Sequence, residues 1–451
     1  MARGLIAAGI VASLALAPGM AQAAGVNIVR DAETEALLQD YAAPIFKAAG
    51  LQGGDIQIFL VPDDRFNAFV ADPSRVFVNT GTIMTTETPN EVIGVLAHEA
   101  AHLNHGDLAG MRATIANSTT AALIGALVGV GAAIAGQAAG LQGIGQMGSG
   151  IMAGSMHAAQ RNVLAYARAQ EAAADRSAVD FMNATGQSPE GMVTVLERLA
   201  NQVLLSARSS DPYIQSHPLP ADRVESVAAL AAKSKYRNRK DSPELQARHD
   251  LVRAKLVGFT MTPQQVGRRY PPSDNSLPAR YARAIAAYRA GALDPALKRI
   301  DELIRTQPDN PFFRELKGQA LLEGGRPQQA VAPLAKAVEL RPGSGLLRIL
   351  YGQALVATEQ KGNVDLAIKN LTVGLQRDPD VPVGWRTLAR AFALNDNIPR
   401  AELATAEGLF VLGNFKEAKL HAQRAQERLK TGSPAWVRAD DIISYNPPRS
   451  R

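Results

Sequence analysis

The chain has 451 residues, 46% hydrophobic and 20% charged, a globular composition long enough for two or three domains. Its net charge of +6 is thin over that length, and the one basic run, Lys233 to Lys240, reads as a solvated linker, so no nucleic-acid partner is expected. The absence of cysteine excludes disulfides, thiolate catalysis and cysteine-held zinc, and leaves His and carboxylates for any metal.

The first residues predict a signal peptide over 1–23. Arg3 supplies the charge, Leu5 to Leu16 the short apolar core, and Ala21-Gln22-Ala23 the small-x-small cleavage site. The mature chain then starts at Ala24 and is placed in a periplasm. Asp31 to Ala49 has the apolar spacing of an amphipathic helix. Asp55 to Val61 alternates with period two, and Phe66 to Val70 with Arg75 to Asn79 predicts a hairpin turned at Asp72-Pro73-Ser74. A helix from Pro89 to His105 follows, opened by a Thr88/Glu91 capping box and ended by Gly106.

Residues 113–160 carry no Asp, Glu, Lys or Arg. Their many glycines weaken a helix, and three readings compete: a buried helical hairpin, a lid over the active site, and a segment in peripheral membrane contact, with a partly ordered helix or lid expected. A membrane span through the middle of the stretch is the rival reading, opposed by the lack of charged residues close to that apolar run. Helices are predicted over Leu164 to Thr185, Pro189 to Leu205, Ala221 to Ala232 and Pro243 to Val257, the last of its domain. The Pro271 to Asn275 stretch marks a boundary, giving a first domain over 24–270 and a second over 276–440. In the second, Gly291, Ala296 and Pro308 recur as Gly325, Ala330 and Pro342, 34 residues on, and Ala367 and Pro379 continue the series after a small insertion. That period belongs to tetratricopeptide repeats, helix pairs that stack into a solenoid with a concave face for partners. Trp385 and Trp436 read as packing residues of this region. The fold class is therefore mainly α with a small β-sheet.

The chemistry sits on the Pro89 to His105 helix, where His98-Glu99-Ala100-Ala101-His102 is an H-E-x-x-H motif. Residues four apart share a helix face, so His98 and His102 can grip one metal, with Glu99 beside it as general base. A catalytic zinc needs a third protein ligand. Glu171, in Gln170-Glu171-Ala172-Ala173-Ala174-Asp175-Arg176, is the candidate, with Asp175 one turn on to accept a hydrogen bond from a ligand imidazole, that of His102. His105 reads as a helix-end imidazole that suits the dipole. His157, His249 and His421 read as structural or surface residues.

These motifs, followed by Ser216-His217-Pro218-Leu219-Pro220-Ala221-Asp222-Arg223, resemble the gluzincin family of Ste24-type metalloproteases. With a leader and repeats behind it, the chain resembles the family's periplasmic members. The resemblance implies one Zn2+ per chain on His98, His102 and Glu171, with Glu99 as base. It implies a catalytic His217 that sits over the metal as a latch, an imidazole that can block the water site or, swung aside, stabilise the oxyanion, and an Arg223 that orients the site through a carboxylate. It makes Asn67-Ala68-Phe69-Val70 an edge strand for an extended substrate, although Asp72-Pro73-Ser74 replaces the glycines frequent in relatives. It implies unfolded or misfolded proteins as substrates, and contact of the repeats with a β-barrel assembly machinery. The rival function is a chaperone or assembly factor for outer-membrane β-barrel proteins whose metal site stays silent.

Overall fold

The computed structural model describes residues 21–23, 26–51, 56–111, 113–114, 165–205, 217 and 221–447. Most of the signal peptide expected over 1–23, most of 113–160 and His157 lie outside them. Among the described residues no helix is long and apolar enough to cross a membrane. By its internal contacts the chain divides into one unit over Glu33–Ala286 and another that joins Ala287–Arg451 to the residues up to Ala32.

In the first unit a helix, Ala32–Ala48, leads to a three-stranded sheet. Arg75–Asn79 is the central strand, parallel to Gln57–Val61 and antiparallel to Ala68–Asp72. Val76, Phe77 and Val78 are all buried, so the central strand lacks the alternation of a half-exposed strand. Phe59, Phe77 and Phe69 stand opposite one another in the register and stack across one face, centroids 5.6 and 5.2 Å apart. The expected turn is held by Asp72, whose side chain accepts from Ser74 N, and a register shift lies between Val70 and Asp72. A short helix, Thr80–Thr85, follows at once; a Cβ on Gly81 would lie 2.1 Å from the Asp64 carbonyl oxygen, so no other residue fits there.

The helix Pro89–His105 starts and stops as its sequence dictates. Thr88 accepts from Glu91 N, the Glu91 side chain accepts from Thr88 N, and Gly106 closes the helix at φ 68°. Every residue from Pro89 to Ala101 is buried, so this helix is wrapped on all sides rather than on one face. The helix Glu190–Leu205 crosses it so closely that a Cβ on Gly94 would touch Met192, while Gly191 N donates to Asn90 Oδ1. A helix over 165–184 precedes Glu190–Leu205 in the chain, and Ala221–Ala232 and Pro243–Thr260 follow it. The last of these is not the final helix expected: Pro263–Arg269 comes after it, opened by its own Thr262/Gln265 capping box.

His249 is fully buried in this unit. It accepts from the Tyr41 hydroxyl at Nδ1 and donates from Nε2 to the Thr86 carbonyl, which fixes a neutral tautomer. Burial, with help from Arg253, lowers its pKa to about 4 against the pull of the Thr86 bond. The unfolded chain takes up a proton near pH 6.5 and the folded one does not, so stability is full above 6.5 and lost as the pH falls toward 4. The shift corresponds to about 3 kcal/mol. Urea unfolding of the wild type is expected to show this loss, and His249→Gln to remove that part of the slope; equal slopes would refute the assignment.

The second unit is a run of antiparallel helix pairs. Pro311–Glu323 pairs with Pro327–Leu340, Gly345–Ala357 with Lys361–Arg377, and Pro382–Leu394 with Ile398–Val411. Phe415–Gln426 and Pro434–Ser444 close the chain. The predicted alanines Ala296, Ala330 and Ala367 are all at 0% exposure, at the helix contacts. Gly318 and Gly352 hold equivalent places: a Cβ there would strike Leu334 at 2.3 Å and Leu371 at 2.4 Å. One further bond recurs. Arg314, Arg348 and Trp385 each donate, at 2.9, 3.1 and 2.7 Å, to the carbonyl of the proline six residues earlier, Pro308, Pro342 and Pro379.

Residues of the helix Leu277–Arg289 up to Ala286 pack with the first unit, where the Tyr281 hydroxyl donates to Glu33 and Ile285 lies against Gly258. At the other end, Arg30 pairs with Asp378 at 2.5 Å and Ala32 belongs to the core of the helix pairs. A turn-rich stretch marks a change of direction in the chain, and packing decides to which body its neighbours belong.

Candidate metal centre

The last turns of the Pro89–His105 helix bring His98 and His102 to one face, as their spacing requires. The helix 165–184 lays Glu171 against them, and His217 enters from the stretch ahead of Ala221–Ala232. One ligand atom from each of His98, His102, Glu171 and His217 lies within 4.8 Å of all the others. His98 Nε2 is 3.0 Å from His102 Nε2 and 3.3 Å from His217 Nδ1. Glu171 Oε1 is 3.0 Å from His217 Nδ1 and 3.4 Å from His102 Nε2. Three imidazoles and a carboxylate in such a nest form a site for a metal ion.

Glu99 is completely buried at the flank of this cluster. Neither of its carboxylate oxygens has a hydrogen-bond partner among the described residues, and Oε1 lies 3.6 Å from His217 Nε2. An ionisable group buried without a hydrogen bond is costly, and proteins keep one where chemistry uses it.

The supporting residues differ from expectation in one respect. Asp175 backs His98, not His102: its Oδ1 is 3.0 Å from His98 Nδ1. The helix 165–184 runs so that the carboxylate one turn past Glu171 falls beside the earlier histidine of the motif. Arg223, on Ala221–Ala232, clamps Asp175 through Nε at 2.6 Å and Nη2 at 2.9 Å, and reaches Glu171 Oε2 from Nη1 at 2.8 Å. His102 has another partner, Asp107, whose Oδ2 is 2.7 Å from its Nδ1. Gln170 in turn donates to Asp107 Oδ1 at 2.9 Å. Sequence reasoning missed both residues; the available signal was a carboxylate directly after the glycine that ends the helix. His105 stays outside the cluster, its Nε2 3.0 Å from Ser177 Oγ.

The charges follow from this packing. Burial works to raise the Glu171 carboxyl, yet bonds from His102, His217 and His98 overcome it and hold the group far below the ordinary carboxylate range. Burial also opposes charge on His102, but the Asp107 and Glu171 carboxylates push its pKa up to about 10. The same contest, with Asp175 and Glu171, raises His98. Asp175 is lowered against its own burial by His98 and Arg223. The cluster therefore demands positive charge, which protons supply in the absence of a cation and release when one binds.

Ala68–Asp72, directly after Asn67, is an edge strand that pairs with the central strand alone among the described residues, and the Pro89–His105 helix packs beside it.

Residues 30–231 match the model of Peptidase family M48. Over 393 residues the chain is 25% identical to the Beta-barrel assembly-enhancing protease of Yersinia pestis, covering 85% of this chain and 77% of that protein. It is likewise 25% identical over 398 residues to the protein of that name from Escherichia coli K12, with the same coverage. A stretch of 106 residues, 22% of this chain and 34% of the other, is 34% identical to a Protease HtpX homolog of Methylacidiphilum infernorum. Among solved structures, MamA covers 39% of this chain and 99% of its own at 19% identity and a TM-score of 0.32. YrrB, a TPR protein with an unusual peptide-binding site, covers 40% and 92% at 17% identity and a TM-score of 0.31. The repeat assignment rests on this chain's own period and helix pairing.

Proposed function

We propose that this chain, whose residues 30–231 match the model of Peptidase family M48, is a zinc-dependent endopeptidase of the cell envelope that cuts misfolded or stalled proteins. The observation that carries the proposal is the convergence of His98, His102, Glu171 and His217 beside the buried Glu99, whose carboxylate oxygens make no hydrogen bond with a described residue. Imidazole and carboxylate without sulfur is a donor set that suits zinc. The ligand separations of 3.0 to 3.4 Å fit it as well, since a tetrahedron with ligands ~2.0 Å from its centre has edges of about 3.3 Å.

His98, His102 and Glu171 would hold the ion. Zinc, when bound, lowers the pKa of a water and polarises the scissile carbonyl. Glu99 takes the water's proton and passes it to the leaving amine; its burial keeps bulk water from competing. Asp175 and Asp107 hold the two motif imidazoles in one tautomer, and Arg223 holds Asp175 and Glu171. The edge strand beside the helix offers main-chain hydrogen bonds to an extended substrate. The paired measurement of zinc content and casein cleavage, in wild type and Glu99→Gln, tests this proposal; a wild type without zinc would overturn it.

The expected domain limits, 24–270 and 276–440 behind a signal peptide over 1–23, belong to the same proposal, as does a periplasmic site of action. The leader and the site of action are supported by the Arg3, Leu5 to Leu16 and Ala21-Gln22-Ala23 pattern, and the domain limits by the Pro271 to Asn275 stretch and the 34-residue period. By analogy with the relatives named above, the substrates are β-barrel proteins that fail to assemble, and the repeats hold them or the assembly machinery.

The position of His217 favours a second, compatible reading. Its Nδ1, close to Glu171 and His98, takes a fourth corner of the cluster, and a catalytic zinc needs that corner for water. His217 would then latch a mostly silent protease with a chaperone role. A latch favoured by about 1.4 kcal/mol hides the site in about nine chains of ten. His217→Ala is then expected to raise casein cleavage about tenfold; an unchanged or lower rate would remove the latch.

A further inference from the structure

We propose that Asp107, held by Gln170, is a positioning residue that sets the orientation and donor strength of His102 toward the metal. This inference rests on the metal-centre reading above.

The geometry begins at Gly106. Its left-handed backbone ends the helix and turns the chain, so that the next side chain points back at the last turn. Asp107 Oδ2 thereby reaches His102 Nδ1 at 2.7 Å. With Nδ1–H donated to a carboxylate, the imidazole presents the Nε2 lone pair, and His102 Nε2 is the atom that faces His98 Nε2 and Glu171 Oε1 at 3.0 and 3.4 Å. Gln170 fixes Asp107 in turn. Its amide nitrogen lies 2.9 Å from Asp107 Oδ1 and 3.2 Å from the Asp107 carbonyl oxygen, so side chain and backbone are both pinned.

Two details make this more than a helix-end contact. Gln170 and Glu171 are neighbours on one helix, so the residue that holds the orienting carboxylate adjoins the residue that ligates. And the two motif histidines are backed unequally. The charge of Asp175 behind His98 is shared with the Arg223 guanidinium. Asp107 is held by a neutral amide, and its ion-pair partners among the described residues are His102 and His105. The fuller negative charge bears on His102, which makes it the stronger donor of the pair.

The test uses the full mature chain. Zinc affinity is read by competition with a chromophoric chelator, and ligand geometry by the visible spectrum of the cobalt-substituted protein. Asp107→Ala is expected to weaken zinc binding 10- to 100-fold and to shift the cobalt spectrum. Asp107→Asn, which keeps an acceptor oxygen, should recover part of the affinity. Gln170→Leu should fall in the same direction by less, and it also serves if Asp107→Ala does not fold. A wild type that binds zinc beside an Asp107→Ala that binds it within twofold, with the same cobalt spectrum, would overturn the proposal, as would a lowered Tm with unaltered affinity. A wild type that binds no zinc would instead overturn the metal centre itself.

Discussion

Glu99→Gln is expected to lower kcat on casein by about 10²- to 10⁴-fold, the usual contribution of a positioned general base, while the variant keeps its zinc. The substitution preserves volume in a pocket where Glu99 has no exposure. It also breaks no hydrogen bond, because neither Glu99 oxygen makes one with a described residue. What it removes is the ability to hold a proton beside the cluster. Zinc retention is expected because the four convergent side chains are other residues. Loss of rate together with loss of zinc would mean that Glu99 is a ligand or a structural prop. An undiminished rate would mean that another group carries the proton.

Arg223→Met is expected to cost the metal-free protein about 3–5 kcal/mol, the range for removing one member of a buried ion cluster. Arg223 is 5% exposed and touches both Asp175 and Glu171. A methionine fills much of the volume and leaves two buried carboxylates short of a cation. The deficit should shrink in zinc-saturated protein, since a bound cation compensates Glu171 directly and favours the folded state by mass action. Urea titrations with chelator and with zinc would measure both values. A loss below about 1 kcal/mol without metal would show that the guanidinium is not what keeps these carboxylates charged.

What was legible in the sequence was what is local in the chain. The Thr88/Glu91 box, Pro89, Gly106 and the four-residue step from His98 to His102 are each decided within a turn or two of helix, and the structure has all of them. The same box at Thr262 and Gln265 was equally readable and was passed over, because the helix it opens spans only Pro263–Arg269. The 34-residue recurrence was readable because each helix pair repeats one packing problem, visible as the small residues at 296, 330 and 367. Two turns between paired helices escaped the pattern. Glu359 and Asp396 take the left-handed conformation, φ 55°, that Gly291 and Gly325 take elsewhere. What was hidden is non-local. No spacing announces that Gln57–Val61 runs parallel to Arg75–Asn79, or which histidine of the motif a carboxylate some seventy positions away will face. Asp175 lay on the right face of the right helix, and its height along that helix decided for His98.

The recurring bond to a proline carbonyl has a practical consequence. The chain has two tryptophans, and one of them, Trp385, makes this bond through its indole nitrogen where Arg314 and Arg348 use a guanidinium. Its fluorescence therefore reports on a single joint between adjoining helix pairs. In a linear array held by nearest-neighbour contacts, the ends loosen before the middle. The emission of Trp385 then reads the fraying of that joint, and activity or bound metal reads the other unit.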